Sequence, residues 1–332
     1  MINEQSVKQF SETCQAIFRE LGRDMVGQRE AVEGSVIAMI AGGNVLLEGV
    51  PGVGKTRLVR SLGRVFDLPF SRIQFTPDLM PADVTGTNIV VKDAAGNTRF
   101  EFRRGPIFSH IVLADEINRA TPKTQSALLE AMQEHTVTVM GESYRLEEPF
   151  FVLATQNPIE QDGTYPLPEA QMDRFMFKLM VTYPTPEELT EIVTMTQATM
   201  EETASAACSG EVLLTMRQTA REILVAPEVQ SYAMRLVVAT HPDTPYAGQV
   251  SKKYVRYGAS PRAAQALLTT AKVRALMQGR FNVAYEDIDT LAPWVLRHRI
   301  KLNFEAVTDR VTTDSVVTEL LAELRHRGTQ DK

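Results

Sequence analysis

The sequence predicts an α/β domain built on a mostly parallel five-stranded sheet, followed by a smaller α-helical domain. In the first half, short apolar strands alternate with helical patterns, which is typical of parallel α/β layers. The composition then changes at Tyr183-Pro184-Thr185-Pro186, where two prolines in four residues break helices and suit a linker. We therefore place the α/β domain at residues 1–183 and the helical domain at residues 184–332.

Five short apolar runs account for the strands of this sheet. In chain order they are residues 44–48, 70–75, 111–114, 150–155 and 175–181. A glycine-rich stretch follows the first run and leads into a helical pattern at residues 56–66. Near the N-terminus, Phe10, Ile17 and Phe18 recur at helical spacing, which predicts an amphipathic helix packed against the first domain.

Two hairpin-like segments interrupt the first domain, near residues 84–108 and 135–148. Strand patterns flank a turn at residues 93–97 in the first segment and a turn at Gly141-Glu142 in the second. Alternating patterns on both sides of such turns favour β-hairpins. Met140, at the tip of the second hairpin, is a candidate contact for a partner protein.

Helical patterns dominate the sequence after residue 186. Pro186 follows Thr185, with Glu188 three residues after Thr185, and this arrangement starts a helix. Ser260-Pro261 supplies an N-cap and a first-turn proline for another. Residues 285–300 and 313–326 also carry apolar side chains at helical spacing. The second domain is therefore predicted to be small and α-helical.

Composition narrows the class of protein. The chain has 332 residues, of which 44% are hydrophobic and 23% charged, as in ordinary globular proteins. Its net charge of −6 argues against a dedicated nucleic-acid binder. Two distant cysteines and five scattered histidines offer neither a disulfide framework nor a metal site made of protein side chains alone.

The sequence also indicates where the protein resides. The N-terminus is polar and lacks the apolar core of a signal peptide. The longest weakly polar stretch, residues 35–47, is shorter than the roughly 20 residues needed to cross a bilayer. We expect a soluble, cytoplasmic protein that does not insert into a membrane.

The most specific motif is Gly49-Val50-Pro51-Gly52-Val53-Gly54-Lys55-Thr56, which matches the G-x-x-x-x-G-K-[ST] phosphate loop. Its glycines let the backbone wrap around phosphates, and the backbone N–H groups face the anion together with the following helix N-terminus. Lys55 would contact the β- and γ-phosphates, and Thr56 would give its hydroxyl to Mg²⁺. A chance glycine-rich turn would lack the strand before and the helix after, which are both predicted here. We include Arg57 among the nucleotide-binding residues.

Carboxylates and an amide follow two other predicted strands. Asp115 and Glu116 end the third apolar run, and Asn157 follows the fourth. Ligands of open α/β sheets bind at this edge, where buried carboxylates are costly unless they are used. Asp115 would organise the Mg²⁺ shell, and Glu116 would polarise the attacking water as a general base or orienting group. Asn157 could hold that water or contact the γ-phosphate, although Asn-Pro alone is only a turn signal.

Two arginines are ambiguous from the residues alone. Arg174 could be a surface arginine paired with Asp173, its neighbour in the sequence. Arg262 lies in the first turn of the helix opened by Ser260-Pro261, beside the positive end of the helix dipole. A cation is slightly unfavourable there, which makes Arg262 a candidate to face an external anion.

Together the motifs resemble the MoxR family of AAA+ ATPases over about residues 26–262. The other matching stretches are Gly105-Pro106-Ile107-Phe108, residues 113–120, 125–132, 154–158 and 163–171, Asp173-Arg174-Phe175, and residues 258–262. The resemblance implies an AAA+ P-loop NTPase core with a parallel five-stranded sheet and a C-terminal helical lid. It also implies ATP and Mg²⁺ as cofactors.

The resemblance also implies a role for each motif in the first domain. The phosphate loop matches the Walker A motif, and Asp115 with Glu116 matches the Walker B acids. Asn157 matches sensor 1. Gly27 and Gln28 belong to a segment, Val26-Gly27-Gln28, that is similar to the N-terminal box packed near adenine.

The two arginines acquire roles through the same resemblance. Arg174 matches the arginine finger, which acts on nucleotide bound by the neighbouring subunit, and Arg262 matches sensor 2 in the lid. We therefore expect Mg²⁺-dependent ATP hydrolysis in a homo-oligomeric, hexameric ring. The hairpins look like the insertions of the helix-2-insert clade. The family is chaperone-like and remodels, matures or activates client proteins, often with partners that carry von Willebrand factor A domains.

Two alternative functions share the same ATP site. One is a motor subunit of the magnesium-chelatase type, which belongs to the same clade. The other is a nucleotide-dependent, DNA-acting regulator, for which the basic residues near the first hairpin are the evidence: Lys92, Arg99, Arg103 and Arg104. Acidic residues interrupt that cluster, so a solvated face explains it more simply.

Overall fold

A computed structural model describes residues 2–50, 52–92, 97–158, 163–197 and 204–330 of the chain. The helices are α1 Glu4–Asp24, α2 Arg29–Ala41, α3 Lys55–Val65, α4 Pro81–Thr85, α5 Pro122–Glu134, α6 Glu169–Met172, α7 Pro186–Gln197, α8 Gly210–Arg221, α9 Pro227–Ala239, α10 Gln249–Tyr254, α11 Pro261–Met277, α12 Tyr285–Leu296, α13 Phe304–Thr308 and α14 Thr313–Gln330. The strands are β1 Val45–Gly49, β2 Phe70–Gln74, β3 Gly86–Lys92, β4 Thr98–Arg104, β5 Ile111–Asp115, β6 Thr136–Val139, β7 Glu142–Arg145, β8 Phe151–Gln156, β9 Phe177–Val181, β10 Val255–Tyr257 and β11 Lys301–Leu302.

The central sheet has five strands in the order β2-β5-β8-β1-β9, and every neighbouring pair is parallel. This arrangement confirms the predicted parallel five-stranded sheet. Its strands follow the five predicted apolar runs, because a parallel sheet covered on both faces needs continuous apolar strands. The carboxyl ends of β1, β8 and β5 lie side by side, so the residues that follow these strands meet at one edge.

Apolar layers cover both faces of the sheet. Along β5, Ile111 and Leu113 belong to one cluster of buried side chains, and Val112 and Ala114 to the other. This division follows from the alternation of side chains along a strand. The first cluster also takes in the buried face of α1, which packs against α3 and α11. The N-terminal helix therefore contacts both domains, whereas the sequence predicted only a contact with the first.

The two inserted hairpins pack against each other. β3 pairs antiparallel with β4, and β6 with β7; the turn at residues 93–96 lies outside the described residues. The rings of Phe102 and Tyr144 stack with their centroids 4.1 Å apart. The Asn88 Nδ2 atom lies 3.2 Å from the sulfur of Met140. The two hairpins thus form one joined surface.

The second domain is helical, as predicted, apart from the short antiparallel pair of β10 and β11. Its apolar residues continue the cluster on one face of the sheet. Trp294 of α12 packs edge-on against Phe177 of β9, with 5.5 Å between ring centroids. None of the described helices has the length and apolar character needed to cross a bilayer.

Glu148 joins the second hairpin to the second domain. Its carboxylate lies 2.6 Å from Nδ1 of His135 and accepts hydrogen bonds from Arg217 of α8 at 3.0 Å and from the Phe150 N–H at 3.2 Å. The hydrogen bond to His135 is the largest of the effects that lower the pKa of Glu148 to about 2, although burial opposes them. The ionised carboxylate is therefore favoured in the folded state.

Glu148→Gln is expected to lower the free energy of unfolding at neutral pH by about 1 kcal/mol, since the half-exposed site is partly screened by solvent. A lowered pKa stabilises the fold above the ordinary value of 4.5, and that contribution is lost as the pH falls towards 2. Urea denaturation of wild type and variant should therefore show a difference that shrinks with falling pH. The neighbouring Glu147→Gln, at a more exposed carboxylate, is the control. A pH-independent difference would contradict this account.

Candidate active site

The phosphate loop connects β1 to α3. Gly52 and Gly54 have φ angles of +82° and +88°, which side chains with a Cβ rarely adopt. The Lys55 ammonium donates a hydrogen bond to the Gly49 carbonyl at 2.6 Å. Burial lowers the pKa of Lys55, and the carboxylates of Asp115 and Glu116 oppose that shift. Lys55 thus lies at the same end of the sheet as both acids.

Two adjoining cavities surround this loop. A cavity of about 380 Å³ is lined by Gly52, Gly54, Lys55, Thr56, Arg57, Arg72, Gln74, Asp115, Glu116 and Asn157. A second cavity of about 260 Å³ is lined by residues 24–26, Gln28, Gly52, Val53, Gly54, Arg57, Tyr183, Pro184, Leu189, Ile192 and Met195. They share Gly52, Gly54 and Arg57. The first is polar and charged, whereas the second is mainly apolar, so together they suit an anionic group attached to a flat apolar one.

Val26 and Gln28 of the predicted N-terminal box line the apolar cavity, and Gly27 lies between them in the chain without lining it. Gln28 donates a hydrogen bond from Nε2 to the Thr182 carbonyl at 2.7 Å, which links it to the segment after β9. Gly27 has a φ of +66°, and a Cβ there would lie 2.3 Å from a carboxylate oxygen of Glu188. The positive φ favours glycine at this position, and the Glu188 side chain of α7 lies directly against it. This contact brings the start of the second domain to the cavity.

Thr155 of β8 supports both acids. Its hydroxyl donates to Oδ1 of Asp115 at 2.7 Å and accepts the Glu116 N–H at 2.8 Å. Glu116 adopts a φ of +57°, which is unusual for a residue with a side chain. The Thr155 side chain is fully buried. It therefore satisfies the backbone at the turn that directs Glu116 into the cavity.

Thr155→Val is expected to lower the free energy of unfolding by about 1–3 kcal/mol, because the Glu116 N–H loses its acceptor in a buried site. Valine has nearly the same shape, so the loss reports the hydroxyl. Thr270→Val is the matched control, since that buried hydroxyl only donates back to its own helix, to Ala266 at 2.7 Å. Thermal and urea denaturation of both variants measure the effect. Equal, small losses of unfolding free energy in the two variants would show that the hydrogen bonds of Thr155 stabilise the fold no more than that of Thr270.

Residues of β2 hold the acids from the other side. Arg72 donates to Oδ2 of Asp115 at 2.6 Å and to Oε1 of Gln74 at 2.6 Å. Gln74 in turn donates to Oε2 of Glu116 at 3.0 Å, and Arg119 pairs with the same oxygen at 3.0 Å. Both carboxylates are therefore oriented by charge-assisted hydrogen bonds. Sequence reasoning missed Arg72, Gln74 and Thr155; their only signal was a polar side chain inside a run predicted to be a strand.

Arg174 and Arg262 lie away from this cavity. Neither lines it, and Asp173 pairs with Arg262 at 3.6 Å rather than with Arg174. Asp173 also accepts hydrogen bonds from Ser260 at 2.8 and 2.9 Å. Asp173 thus links its own segment, which carries Arg174, to the start of α11, which carries Arg262. The interpretation of Arg174 as a surface partner of Asp173 does not match this geometry.

Most of the predicted site residues line the two cavities, whereas Arg174 and Arg262 line neither. The polar cavity includes Asn157, which is buried, and the phosphate-loop residues, with Val53 in the apolar cavity beside it. Pro51 lies outside the described residues. Among the described residues, no group of three or more His, Cys, Asp or Glu side chains could hold a metal ion. The oxygen donors Thr56 and Asp115 fit Mg²⁺ only if phosphate oxygens complete its shell.

Two family profiles match the chain. Residues 44–177 match the ATPase family associated with various cellular activities (AAA), and residues 248–320 match the AAA lid domain. The first match spans β1 to the start of β9, and with it the phosphate loop and both acids. The second covers Arg262 and the segment from α10 into α14.

Proteins similar to this chain come from several bacteria. Chaperone MoxR1 of Mycobacterium tuberculosis is 43% identical, over 92% of this chain and 80% of that protein. YeaC of Bacillus subtilis is 43% identical, over 92% of each. Protein MoxR of Methylorubrum extorquens is 31% identical, over 86% of each. The crystal structure of a protein from Cytophaga hutchinsonii superposes with a TM-score of 0.88 at 40% identity, over 96% of each chain.

Proposed function

This chain belongs to the MoxR family of AAA+ ATPases, and we propose that it hydrolyses Mg²⁺-ATP at sites shared between neighbouring subunits of a homo-oligomeric, hexameric ring. ATP hydrolysis would drive the chaperone-like remodelling, maturation or activation of client proteins. One observation carries the proposal. The cavities gather most of the residues proposed to bind nucleotide and to activate water, while Arg174 and Arg262 lie outside them.

The residues of the polar cavity suit ATP bound with its phosphates on the loop. Backbone N–H groups of residues 52–57 and the N-terminus of α3 would hold the phosphates, and Lys55 would neutralise their charge. Thr56 and Asp115 would hold Mg²⁺, which supplies charge neutralisation at the phosphates when bound. The adenine would occupy the apolar cavity beside Gly27, Gln28 and Tyr183. Arg57 borders both cavities and would contact the nucleotide between base and phosphates.

Glu116 and Asn157 are the proposed water-orienting residues. In phosphoryl transfer the charge spreads over the equatorial oxygens, so catalysis consists mainly of positioning and electrostatic stabilisation. Glu116 would accept a proton or a hydrogen bond from the attacking water, and Asn157 would orient that water or the γ-phosphate. The bonds from Gln74 and Arg119 hold the Glu116 carboxylate to one side. They would have to be exchanged for water when ATP binds.

Arg174 would complete this site from the next subunit. An arginine presented to the transferring phosphoryl group stabilises the charge of its transition state. We extend the same role to Arg262, because Asp173 holds it beside the Arg174 segment rather than at its own subunit's cavity. Arg262, as sensor 2, would therefore contact the nucleotide bound by the neighbouring subunit. Hydrolysis in each subunit would then depend on ring assembly.

The joined hairpins are the proposed client contact. Val90 and Phe100 are opposite each other in the β3–β4 ladder, and both are more than half exposed. They share a ribbon face with Asn88 and Phe102, which contact the second hairpin. Met140, at the tip of that hairpin, is 81% exposed. Exposed apolar side chains grouped in this way suit a protein client.

Charge on the hairpins also favours a protein over nucleic acid. Arg99 pairs with Glu101 at 3.1 Å, and Arg104 pairs with Glu147 at 3.6 Å. Half of the basic cluster is thus matched by acids, and phosphate binding needs unpaired cations. A partner with a von Willebrand factor A domain and a cytoplasmic location remain part of the proposal from family membership.

The test mixes two inactive variants. Glu116→Gln subunits have a dead site but an intact Arg174, and Arg174→Ala subunits have an intact site but no finger. Each alone should be inactive. An equal mixture should recover about one quarter of wild-type turnover, because half of the sites are intact and half of their neighbours supply the finger in a head-to-tail ring.

Wild-type specific activity should also rise with protein concentration until rings are complete, while free ATP is kept saturating. Subunit mass and ring size are followed by light scattering in the same samples. If Arg174→Ala retains full turnover and wild-type activity is independent of concentration, hydrolysis is carried out by single subunits. The ring proposal would then be abandoned.

A further inference from the structure

Arg299 binds the segment that carries Arg174 with its entire guanidinium group. It follows α12 and is almost completely buried. Its Nε donates to Oδ1 of Asp173 at 2.8 Å. One terminal nitrogen donates to the carbonyls of Met176 at 3.1 Å and Val295 at 2.5 Å. The other donates to the carbonyls of Asp173 at 3.2 Å and Phe175 at 2.6 Å.

All five N–H groups of this guanidinium therefore have acceptors. Two of these acceptors are the backbone carbonyls on either side of Arg174. The Val295 carbonyl ties the same group to α12, and the Asp173 carboxylate continues the network to Ser260 and Arg262. His298 adds a contact to the Phe175 carbonyl at 3.1 Å. The backbone around Arg174 is thus held by the second domain of its own subunit.

We infer that Arg299, together with Asp173, is a positioning residue that aims Arg174 and Arg262 at the nucleotide of the neighbouring subunit. This inference rests on the proposed function, in which both arginines act across a subunit boundary. A buried guanidinium whose N–H groups all have acceptors holds the backbone in place more rigidly than a solvent-exposed contact does. A finger has to be placed within a fraction of an ångström, and a misplacement of about 1 Å can cost about 10²-fold in rate.

The arrangement also predicts what Arg299 does not affect. Its contacts involve the carbonyls of residues 173, 175, 176 and 295 and the Asp173 carboxylate, and none of these groups lines the nucleotide cavities. The loss caused by a change at Arg299 should therefore appear at the neighbour's site. A role confined to folding would weaken a subunit as donor and as acceptor alike.

The experiment places Arg299→Lys in one partner of the mixed rings at a time. Lysine keeps the positive charge but has three donors on one atom, so it cannot satisfy five spread acceptors. In the finger-donating Glu116→Gln subunit, the substitution should lower the recovered turnover by about 10-fold or more. In the site-donating Arg174→Ala subunit it should leave the recovered turnover within about 2-fold, because that subunit's finger is already absent.

Arg297→Lys is the matched control. Arg297 is buried in the same segment, but it pairs with Glu30 and Asp314 and has no contact with the Arg174 backbone. Its substitution loosens the same contact between the domains, so any loss should be equal in the two partners. Melting temperature and ring mass are measured for every variant. If Arg299→Lys does not assemble, Asp173→Asn replaces it, and the same asymmetry is required.

The outcomes separate the inference from the proposed function. Equal losses in both partners, or no loss in either, would overturn the positioning role while the ring mechanism stands. A failure of the unmodified mixture to recover any turnover would overturn the ring mechanism, and the positioning role with it. A loss confined to the finger donor supports both.

Discussion

Glu116→Gln is expected to lower ATP turnover by about 10³-fold while nucleotide affinity stays within a few-fold of wild type. Glutamine keeps the shape and one acceptor of the side chain, so the bonds from Gln74 and Arg119 have a remaining partner. It loses the negative charge that would polarise the attacking water. Phosphate release measures turnover, and titration with a fluorescent ATP analogue measures affinity.

The control for this substitution is Glu134→Gln, at the exposed C-terminal end of α5, which should turn over ATP like wild type. A Glu116→Gln protein that hydrolyses ATP at more than about a tenth of the wild-type rate would remove Glu116 from the water-orienting role. A variant that loses both turnover and affinity would indicate that Glu116 shapes the binding cavity. The separation of the two measurements is therefore the critical result.

Arg174→Lys is expected to lower turnover by about 10³-fold or more, the lower end of the effects measured for arginine fingers. Lysine retains the charge but not the planar pair of donors that fits two phosphoryl oxygens. Nucleotide affinity should change little, because Arg174 does not line the cavities of its own subunit. Steady-state turnover and equilibrium binding are measured on the same preparations.

Arg235→Lys, at an exposed position on α9, is the control for this prediction and should behave as wild type. A loss of affinity equal to the loss of turnover would place Arg174 in the binding of its own nucleotide. Full turnover in Arg174→Lys would mean that charge alone is enough, or that no finger is used. The Arg174→Ala variant decides between those two results.

The two predictions concern residues that the sequence singled out for different reasons. Glu116 was found from local physics, because two acids at the end of an apolar strand, downstream of a phosphate loop, have few other uses. Arg174 had no such signal, since an arginine beside an aspartate is most simply a surface pair. Its role was assigned through the family resemblance alone.

The structure adds more about what surrounds the predicted residues than about which residues form the site. Thr155, Arg72 and Gln74 come from strands that are distant in the sequence from Asp115 and Glu116. They meet those acids because β5 lies between β2 and β8 in the sheet. Strand order is a long-range property, and periodicity within one segment carries no information about it. The sequence therefore shows the polar side chains of these strands but not the residues that they contact.

By itself, the sequence determined the parallel α/β domain, the helical second domain and the glycine-rich loop between β1 and α3. Each of these follows from local rules: apolar runs alternating with helical spacing, prolines at a linker, and glycines where φ must be positive. The tertiary structure alone decided that Asp173 binds Ser260, Arg262 and Arg299, and that Arg299 holds the backbone on either side of Arg174. The physical reason is that a buried guanidinium needs acceptors from several segments at once, and only the packing of α12 against β9 brings those segments together.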